Sequence, residues 1–368
     1  MSRRVVATIH LDALRGNLAR VRALAPGARV MAVVKADGYG HGLERVARAL
    51  AAADAFGVAS IADGRRIRAI GLDNRVVVLS GMDEPADLAD MRALALEPVL
   101  HHESQLAWLE AERDPRPLPT VWLKLDTGMH RLGFPPARAA AVHARLRALP
   151  QVGERIRLMT HFARSDEFGQ PATAGQLERF AQATAGLPGE RSLANSAAIL
   201  GWPASHGDWV RAGGVLYGVS AVAGRDGASF GFRPAMTLTA RLIAINAVAA
   251  GEPVGYGGAW TCPQDMPVGV VAIGYGDGYP RHAAPGTPVL LHGRPAALVG
   301  RVSMDLATID LRQHPEAAVG DEVVLWGPGL PVETIAGHAG TIGYELVCGM
   351  TRRVDFIETD AGTRAGPG

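Results

Sequence analysis

The stretch Val33-Val34-Lys35-Ala36-Asp37-Gly38-Tyr39-Gly40-His41-Gly42 gathers the residue types best suited to chemistry in this chain. An apolar run, Val30 to Val34, ends in a lysine, and a glycine-laced turn carrying a tyrosine follows. A strand-end lysine is costly to desolvate as an ammonium. The cost is reasonable where the amine works as a neutral nucleophile, as in a Schiff base with an aldehyde. Tyr39, four residues on, is placed to offer its hydroxyl to a phosphate tail. A lone lysine at a strand end can equally lift its head into water. The glycines and tyrosine around this one weigh against that.

The elements that must hold these residues follow from hydrophobic periodicity. Short apolar runs lie near Val30–Val34, Ala55–Ala59, Val76–Leu79, Pro98–Leu100, Val121–Leu125, Ile156–Thr160, Ser192–Ala194 and Val215–Tyr217. Segments with helical spacing separate most of them. Leu11, Leu14, Leu18 and Val21 share one helical face, and Leu43, Val46, Ala47 and Leu50 share another. Eight strands alternating with helices predict a parallel (β/α)8 TIM-like barrel. Lys35 closes the first run, His161 the sixth, Ser196 follows the seventh, and Arg211 to Gly214 border the eighth. Such barrels build their sites at the C-terminal ends of the strands.

Past Phe232-Arg233-Pro234 the texture changes. Met236–Ile245, Val268–Ile273, Val289–Leu291, Ala297–Val302, Leu306–Leu311 and Glu322–Leu325 read as strands divided by Gly, Pro and Asp turns, with helical spacing at Glu333–Ala339. The expected division is a barrel over 11–233 and a mainly β C-terminal domain over 234–360. The strand-like 2–10 is assigned to the second domain, and 361–368 is read as a frayed tail.

Composition narrows the class. The 368 residues suit two domains, and 48% hydrophobic content supports a sizeable core. Lys+Arg 37 against Asp+Glu 36 leaves a net charge of +1, so nothing points to nucleic acid or a membrane surface. Cys262 and Cys348 form neither a disulfide framework nor a metal spacing and read as semi-buried thiols. No metal is expected. No secretory pattern follows the basic pair Arg3-Arg4, and a cytoplasmic location is the expectation.

The lysine motif resembles the pyridoxal-phosphate (PLP) attachment motif of the alanine racemase family. The likeness continues in order through Lys124-Leu-Asp-Thr-Gly-Met-His-Arg131, Thr160-His161-Phe162-Ala163, Ala194-Asn195-Ser196 and Val210-Arg211-Ala-Gly213-Gly214-Val-Leu-Tyr217-Gly218. Past the barrel it recurs at Gly255-Tyr256-Gly257-Gly258, Gly274-Tyr275-Gly-Asp277-Gly-Tyr279-Pro-Arg281, Gly300-Arg301-Val-Ser303-Met304-Asp305 and Gly343-Tyr344-Glu345-Leu346.

The resemblance implies a PLP-dependent alanine racemase, which supplies D-alanine for peptidoglycan or degrades it. It also implies a homodimer whose active sites lie at the subunit interface. Lys35 and Tyr256 match the family's two proton-transferring bases, Tyr256 coming from the partner subunit. Tyr39, Ser196, Gly213, Gly214 and Tyr344 match the phosphate contacts. Arg211 matches the arginine facing the pyridine nitrogen, and an arginine there makes the ring a weaker electron sink than an aspartate would. His161 resembles the link between that arginine and the tyrosine. Arg131 and the Met304 amide match the substrate-carboxylate donors. Lys124 matches a lysine that is carbamylated in several members, a modification the sequence leaves open. Tyr275, Arg281, Arg301 and Asp305 fall on the segments lining the family's entrance.

The attachment motif often reads Lys-Ala-Asn-Ala-Tyr, so Asp37 and Gly38 depart from it. They are expected to add charge and freedom near the phosphate. Ser303 and Trp260 also depart, which leaves a racemase of wider range, acting on serine or basic amino acids, as the alternative. A non-enzymatic PLP carrier would not need Tyr256, Tyr275, Met304 and Tyr344. A decarboxylase of related architecture would bring a cysteine- and aspartate-bearing site that is not found.

Overall fold

Eight parallel strands close into a barrel in the computed structural model, which describes residues 5–360. The expected tail, 361–368, lies outside them, as do residues 2–4 of the expected N-terminal strand. After β1 (Val6–His10) the barrel strands run in chain order: β2 (Arg29–Val33), β3 (Ala55–Val58), β4 (Arg75–Val78), β5 (Leu96–Leu100), β6 (Val121–Lys124), β7 (Ile156–Met159), β8 (Arg191–Ser192) and β9 (Trp209–Ala212). Pairing of β2 with β9, Val30 opposite Val210, closes the ring. Both strand faces are covered, which is why most of these strands read as continuous apolar runs. Inside the ring, Met31, Ala55, Val77, Val99, Trp122, Met159 and Trp209 form one cluster. The indoles of Trp122 and Trp209 meet edge to face at 5.7 Å. Each buries on the order of 150–250 Å².

The eighth strand corrects the sequence reading. It is Trp209–Ala212, and Val215–Tyr217 belongs to a buried 3-10 turn, Gly214–Tyr217. Arg211 therefore sits within a strand.

Charged residues plug the N-terminal end of the barrel. Glu97 Oε2 accepts from Trp122 Nε1 at 2.7 Å and lies 3.2 Å from Arg157 Nη1. Arg75 pairs with the other Glu97 oxygen at 2.6 Å. Glu190 accepts from Trp209 Nε1 at 2.8 Å and Arg157 Nε at 2.5 Å, and also pairs with Arg29. The Arg157 guanidinium stands 5.1 Å from both indole centroids, the geometry of a cation–π contact.

At the other end, the chain leaving β2 turns with the wrong hand. Ala36, Asp37, Gly38 and Tyr39 have φ of 52°, 54°, 63° and 52°. Left-handed backbone costs an L-residue ~1–2 kcal/mol. A Cβ at Gly38 would meet Val46 Cγ2 at 3.0 Å. Gly38, expected to add freedom, is therefore buried in a tight packing position.

The compact unit made of 17–216 and 221–225 contains the barrel; of the described residues the other comprises 5–16, 217–220 and 226–360. The second is built on β10 (Met236–Val248), followed by β11 (Pro253–Val254), β12 (Trp260–Thr261), β13 (Met266–Val271), β14 (Pro288–Leu291), β15 (Arg294–Val299), β16 (Ala307–Asp310), β17 (Glu322–Trp326) and β18 (Asp355–Thr359). Its main sheet runs β13-β16-β15-β14-β17-β10-β1-β18, with a further β13–β10 pairing. β1 pairs antiparallel with β10, Val6 opposite Thr239, and parallel with β18. Cys262 is buried and Cys348 exposed, not both semi-buried. No helix of the described residues is long and apolar enough to cross a membrane.

Candidate active site

The barrel-borne candidates stand where the strands end. Lys35 lies two residues past β2 and is half-buried. Lys124 is the last residue of β6, His161 lies two past β7, and Arg211 is the third residue of β9. Ser196 opens the helix Ser196–Gly201, whose Asn195 cap accepts from Ala198 N at 3.0 Å. First-turn amides of a helix lack an intrahelical acceptor, so this is a place rich in N–H donors.

Three of these candidates converge tightly. The Gly213 N–H donates to Ser196 Oγ at 2.9 Å. A Cβ built on Gly213 would meet Tyr39 Oη at 2.5 Å and Ser196 Oγ at 3.6 Å. Only glycine leaves that space open. Two hydroxyls and bare backbone around one gap suit a phosphate, which takes hydrogen bonds on every side.

Arg211 is buried and fixed. Nη1 donates to Ser192 O at 2.8 Å and Ser192 Oγ at 2.7 Å, and Nη2 donates to Thr160 O at 2.6 Å and Leu193 O at 3.0 Å. Burial pulls its pKa down to about 10, so it remains a cation at neutral pH. Nη2 also reaches His161 Nδ1 at 3.2 Å. A guanidinium only donates, so Nδ1 accepts and the imidazole proton belongs on Nε2. Burial, then Arg211, Lys124, Arg131 and Lys35, hold His161 well below its ordinary pKa. It is a neutral ring presenting an Nε2–H.

Lys124 is nearly as constrained. Burial, then Arg211, Arg131 and Lys35, bring its pKa down to about 8. Asp126, which pulls the other way, turns Oδ1 to the amides of Gly128, Met129 and His130, each at 3.0 Å. Arg131 follows that turn and is exposed. Asp37, expected to charge the phosphate region, instead accepts from Leu43 N at 3.0 Å and Arg66 Nη2 at 2.6 Å.

The remaining candidates occupy loops of the second unit. Tyr256 stands in a 3-10 turn after Gly255 and is 68% exposed; Met304 is 54% exposed. The Tyr275 and Met304 loops interlock: Tyr275 N donates to Ser303 O at 3.1 Å and Gly276 N to Met304 O at 2.8 Å. Arg281 donates to Val302 O at 3.1 Å and lies 5.7 Å from the Tyr275 ring centroid. A Cβ on Gly255 would meet Arg301 N at 3.5 Å. Arg353 ties Asp305 at 2.6 Å to Asp277 at 3.0 Å. Tyr344 is the second residue of the helix Gly343–Cys348 and is half-buried.

Sequence reasoning missed the braces. Gln176 is buried; its Nε2 donates to His161 O at 3.0 Å while its Oε1 accepts from Ala163 N at 2.9 Å. Ser192 and Thr160 hold Arg211, and Arg66 and Arg353 hold the acids named above. Of these, only Thr160 lies in a motif, and no role is read for it there. Gln176 offered one signal, a polar residue at a helical position between apolar ones.

Two family models match the chain: the alanine racemase N-terminal domain over residues 9–221 and the alanine racemase C-terminal domain over 235–358. Alanine racemase of Shewanella loihica is 53% identical over 348 residues, 95% of this chain and 97% of that one. Alanine racemase of Nitrosococcus oceani is 54% identical over 349 residues, with the same shares of each chain. The crystal structure of the biosynthetic alanine racemase from Pseudomonas aeruginosa superposes with TM-score 0.94 at 46% identity. It covers 97% of this chain and 100% of that one. An alanine racemase structure from Bartonella henselae, described with covalently bound pyridoxal phosphate, gives TM-score 0.88 at 25% identity over 97% and 100% of the two chains.

Proposed function

The chain belongs to the alanine racemase family, and from that premise we propose how its own residues carry out the reaction. It is a PLP-dependent isomerase that interconverts L- and D-alanine. The observation that carries the site assignment is the convergence of Tyr39 Oη, Ser196 Oγ and the Gly213 backbone beside a cluster of cations.

Lys35 is the covalent anchor. Tyr39, Ser196, Gly213, Gly214 and Tyr344 hold the phosphate. Arg211 has committed Nη1 and Nη2 to acceptors, which leaves Nε–H to face the ring nitrogen. As a donor it cannot give that nitrogen a full proton. PLP, when bound, supplies the electron sink that acidifies the substrate Cα–H. Lys35 moves the proton on one face of Cα, and Tyr256 moves it on the other. Two bases on opposite faces invert the centre without rotating the substrate. Neutral His161 offers its Nε2–H toward the tyrosine. Arg131 and the Met304 amide hold the substrate carboxylate. As a carbamate, Lys124 would brace Arg131. Its pKa near 8 leaves part of the amine neutral and open to carbamate formation with CO2. Tyr275, Arg281, Arg301 and Asp305 line the entrance.

The functional assembly is a homodimer in which Tyr256 and Met304 serve the partner's barrel. Their exposure on the single chain leaves both side chains open to a partner. The location is cytoplasmic, and D-alanine goes to cell-wall precursor synthesis or to breakdown. Chiral chromatography after incubation with single enantiomers of alanine, serine, lysine and arginine tests the substrate assignment. Racemisation of alanine at a kcat/KM well above the others is expected. Comparable rates on serine or basic amino acids would replace it with the broad-range reading.

A further inference from the structure

We propose that Arg66 is a positioning residue for Lys35 and Tyr39, holding the left-handed turn between them through Asp37. The proposal rests on the reading of Lys35 and Tyr39 as cofactor-holding residues.

The turn needs an external clamp. Its backbone bonds are good: Gly38 N to Val34 O and Gly40 N to Ala36 O at 2.9 Å, and Gly42 N to Asp37 O at 2.8 Å. A right-handed turn would form comparable bonds without crowding the Cβ atoms of Ala36, Asp37 and Tyr39. Backbone pairing alone therefore does not choose the hand. Side chains can choose it, because reversing the hand redirects every Cβ.

Asp37 is the side chain that is held. Its Oδ1 accepts from Leu43 N at 3.0 Å and from Arg66 Nη2 at 2.6 Å. The same guanidinium grips Glu44, Nε to Oε1 at 2.7 Å and Nη2 to Oε2 at 2.8 Å. One arginine from the helix Ile61–Ala69 thus joins the middle of the turn to the first turn of the helix Leu43–Ala49. Strained backbone persists only where its surroundings over-determine it. Tyr39 Oη reaches the gap beside Gly213 by way of this strained segment. Relaxation at residues 36–39 would carry the phenol away from Ser196 and change the aim of Lys35.

The clamp is half in water, with side-chain exposure of 41% for Arg66 and 53% for Asp37. Exposed pairs add little to global stability. The effect of losing it should fall on cofactor retention and leave melting nearly unchanged.

A double-mutant cycle tests this: wild type, Arg66→Met, Asp37→Asn and the double variant. The readouts are the rate of PLP loss from each holoenzyme during dialysis and the melting temperature of each apoprotein. Arg66→Met should lose PLP ~3–10-fold faster, with apoprotein melting unchanged. The amide introduced by Asp37→Asn keeps an oxygen for Leu43 N and needs no cation. In the Asp37→Asn background, Arg66→Met should therefore add less than ~2-fold. No change in PLP loss, equal losses in both backgrounds, or loss matched by lowered apoprotein melting would overturn the proposal. Borohydride reduction of wild type, followed by peptide mapping, separates the two levels. An adduct on another lysine overturns the cofactor reading along with the proposal. An adduct on Lys35 with an uncoupled cycle overturns the Arg66 role alone.

Discussion

At the N-terminal end of the barrel, Arg29, Arg75 and Arg157 interleave with Glu97 and Glu190, and two indole N–H groups donate to the same carboxylates. At the C-terminal end, Lys35, Lys124, Arg131 and Arg211 all bear on His161, while Asp126 turns Oδ1 to backbone amides. The first arrangement comes close to neutralising itself, with three arginines against two glutamates. Burial would push the Glu190 carboxyl up, but donation from Trp209, Arg29 and Arg157 holds it at about 2. The second leaves positive charge uncancelled, which adds to burial in depressing Lys124 and His161. One end is complete as it folds. The other has the uncancelled charge that suits anions such as a phosphate or a carboxylate. In this barrel, an imbalance of charge separates the functional end from the structural one better than the number of charged residues does.

The contrast breaks hardest at Lys35. Lys35→Ala should lower racemisation by more than ~10⁴-fold, since it removes both the anchor and a base. Wild type should show a visible cofactor band that borohydride abolishes, with a stable mass addition on the Lys35 peptide. Melting of the variant apoprotein should stay close to wild type. A borohydride adduct mapping elsewhere would reject the assignment.

Tyr256→Phe should cost ~10²–10⁴ in rate while PLP stays bound, because only a proton carrier is lost. In deuterated water the variant should still exchange the α-proton of one alanine enantiomer, the D form by analogy, without matching inversion. Equal slowing for both enantiomers would remove Tyr256 as the second base. Mixing Lys35→Ala chains with Tyr256→Phe chains should restore part of the activity, since one hybrid site receives both native residues. An active monomer in sedimentation would sink the shared-site arrangement.

Glu97→Ala attacks the opposite end. It strips Arg157 and Trp122 of a partner that is 2% exposed. Breaking a buried pair typically costs about 3–5 kcal/mol. Urea unfolding should show that loss, while kcat per folded molecule and PLP affinity hold. A fall in kcat at full folding would mean the two ends are coupled.

What could be read in the sequence divides along the same line. The functional end announces itself because its residues cluster in short motifs at or after strand ends, several with glycines that a turn or close approach requires. The structural end is scattered over Arg29, Arg75, Glu97, Trp122, Arg157, Glu190 and Trp209, and only folding brings them together. Six strands matched the apolar runs, and the seventh run, Ser192–Ala194, meets the strand Arg191–Ser192 at one residue. The eighth strand matched none, because Trp209-Val-Arg-Ala carries an arginine at its centre, and backbone carbonyls buy its burial. The nearby Val215-Leu-Tyr run drew the assignment instead. β18, charged and largely exposed, gave no hydrophobic alternation to read. Arg66 meets Asp37 and Glu44 only once the chain folds, so no local pattern marks it.

The smallest expected effect is also the one that reads both ends in a single experiment. The Glu190 pKa is about 2 when folded, against 4.5 unperturbed, so its contribution is fully present above 4.5 and is lost as pH falls through 2. Its side chain is 35% exposed, and solvent screening trims the value to ~1–2 kcal/mol. Lys124 works in the opposite sense. Its folded pKa of about 8 lies below 10.5, so between these values the unfolded chain binds more protons than the folded one. Stability therefore rises with pH across that window, by about 1–3 kcal/mol. Denaturant unfolding at a series of pH values should show an acid limb that Glu190→Gln flattens and an alkaline limb that Lys124→Met flattens. Each variant should leave the other limb alone. An alkaline limb absent from wild type, with the mass of one CO2 on the Lys124 peptide, would mean that the amine is held as a carbamate. An alkaline limb that survives Lys124→Met would place the unbalanced charge on another residue.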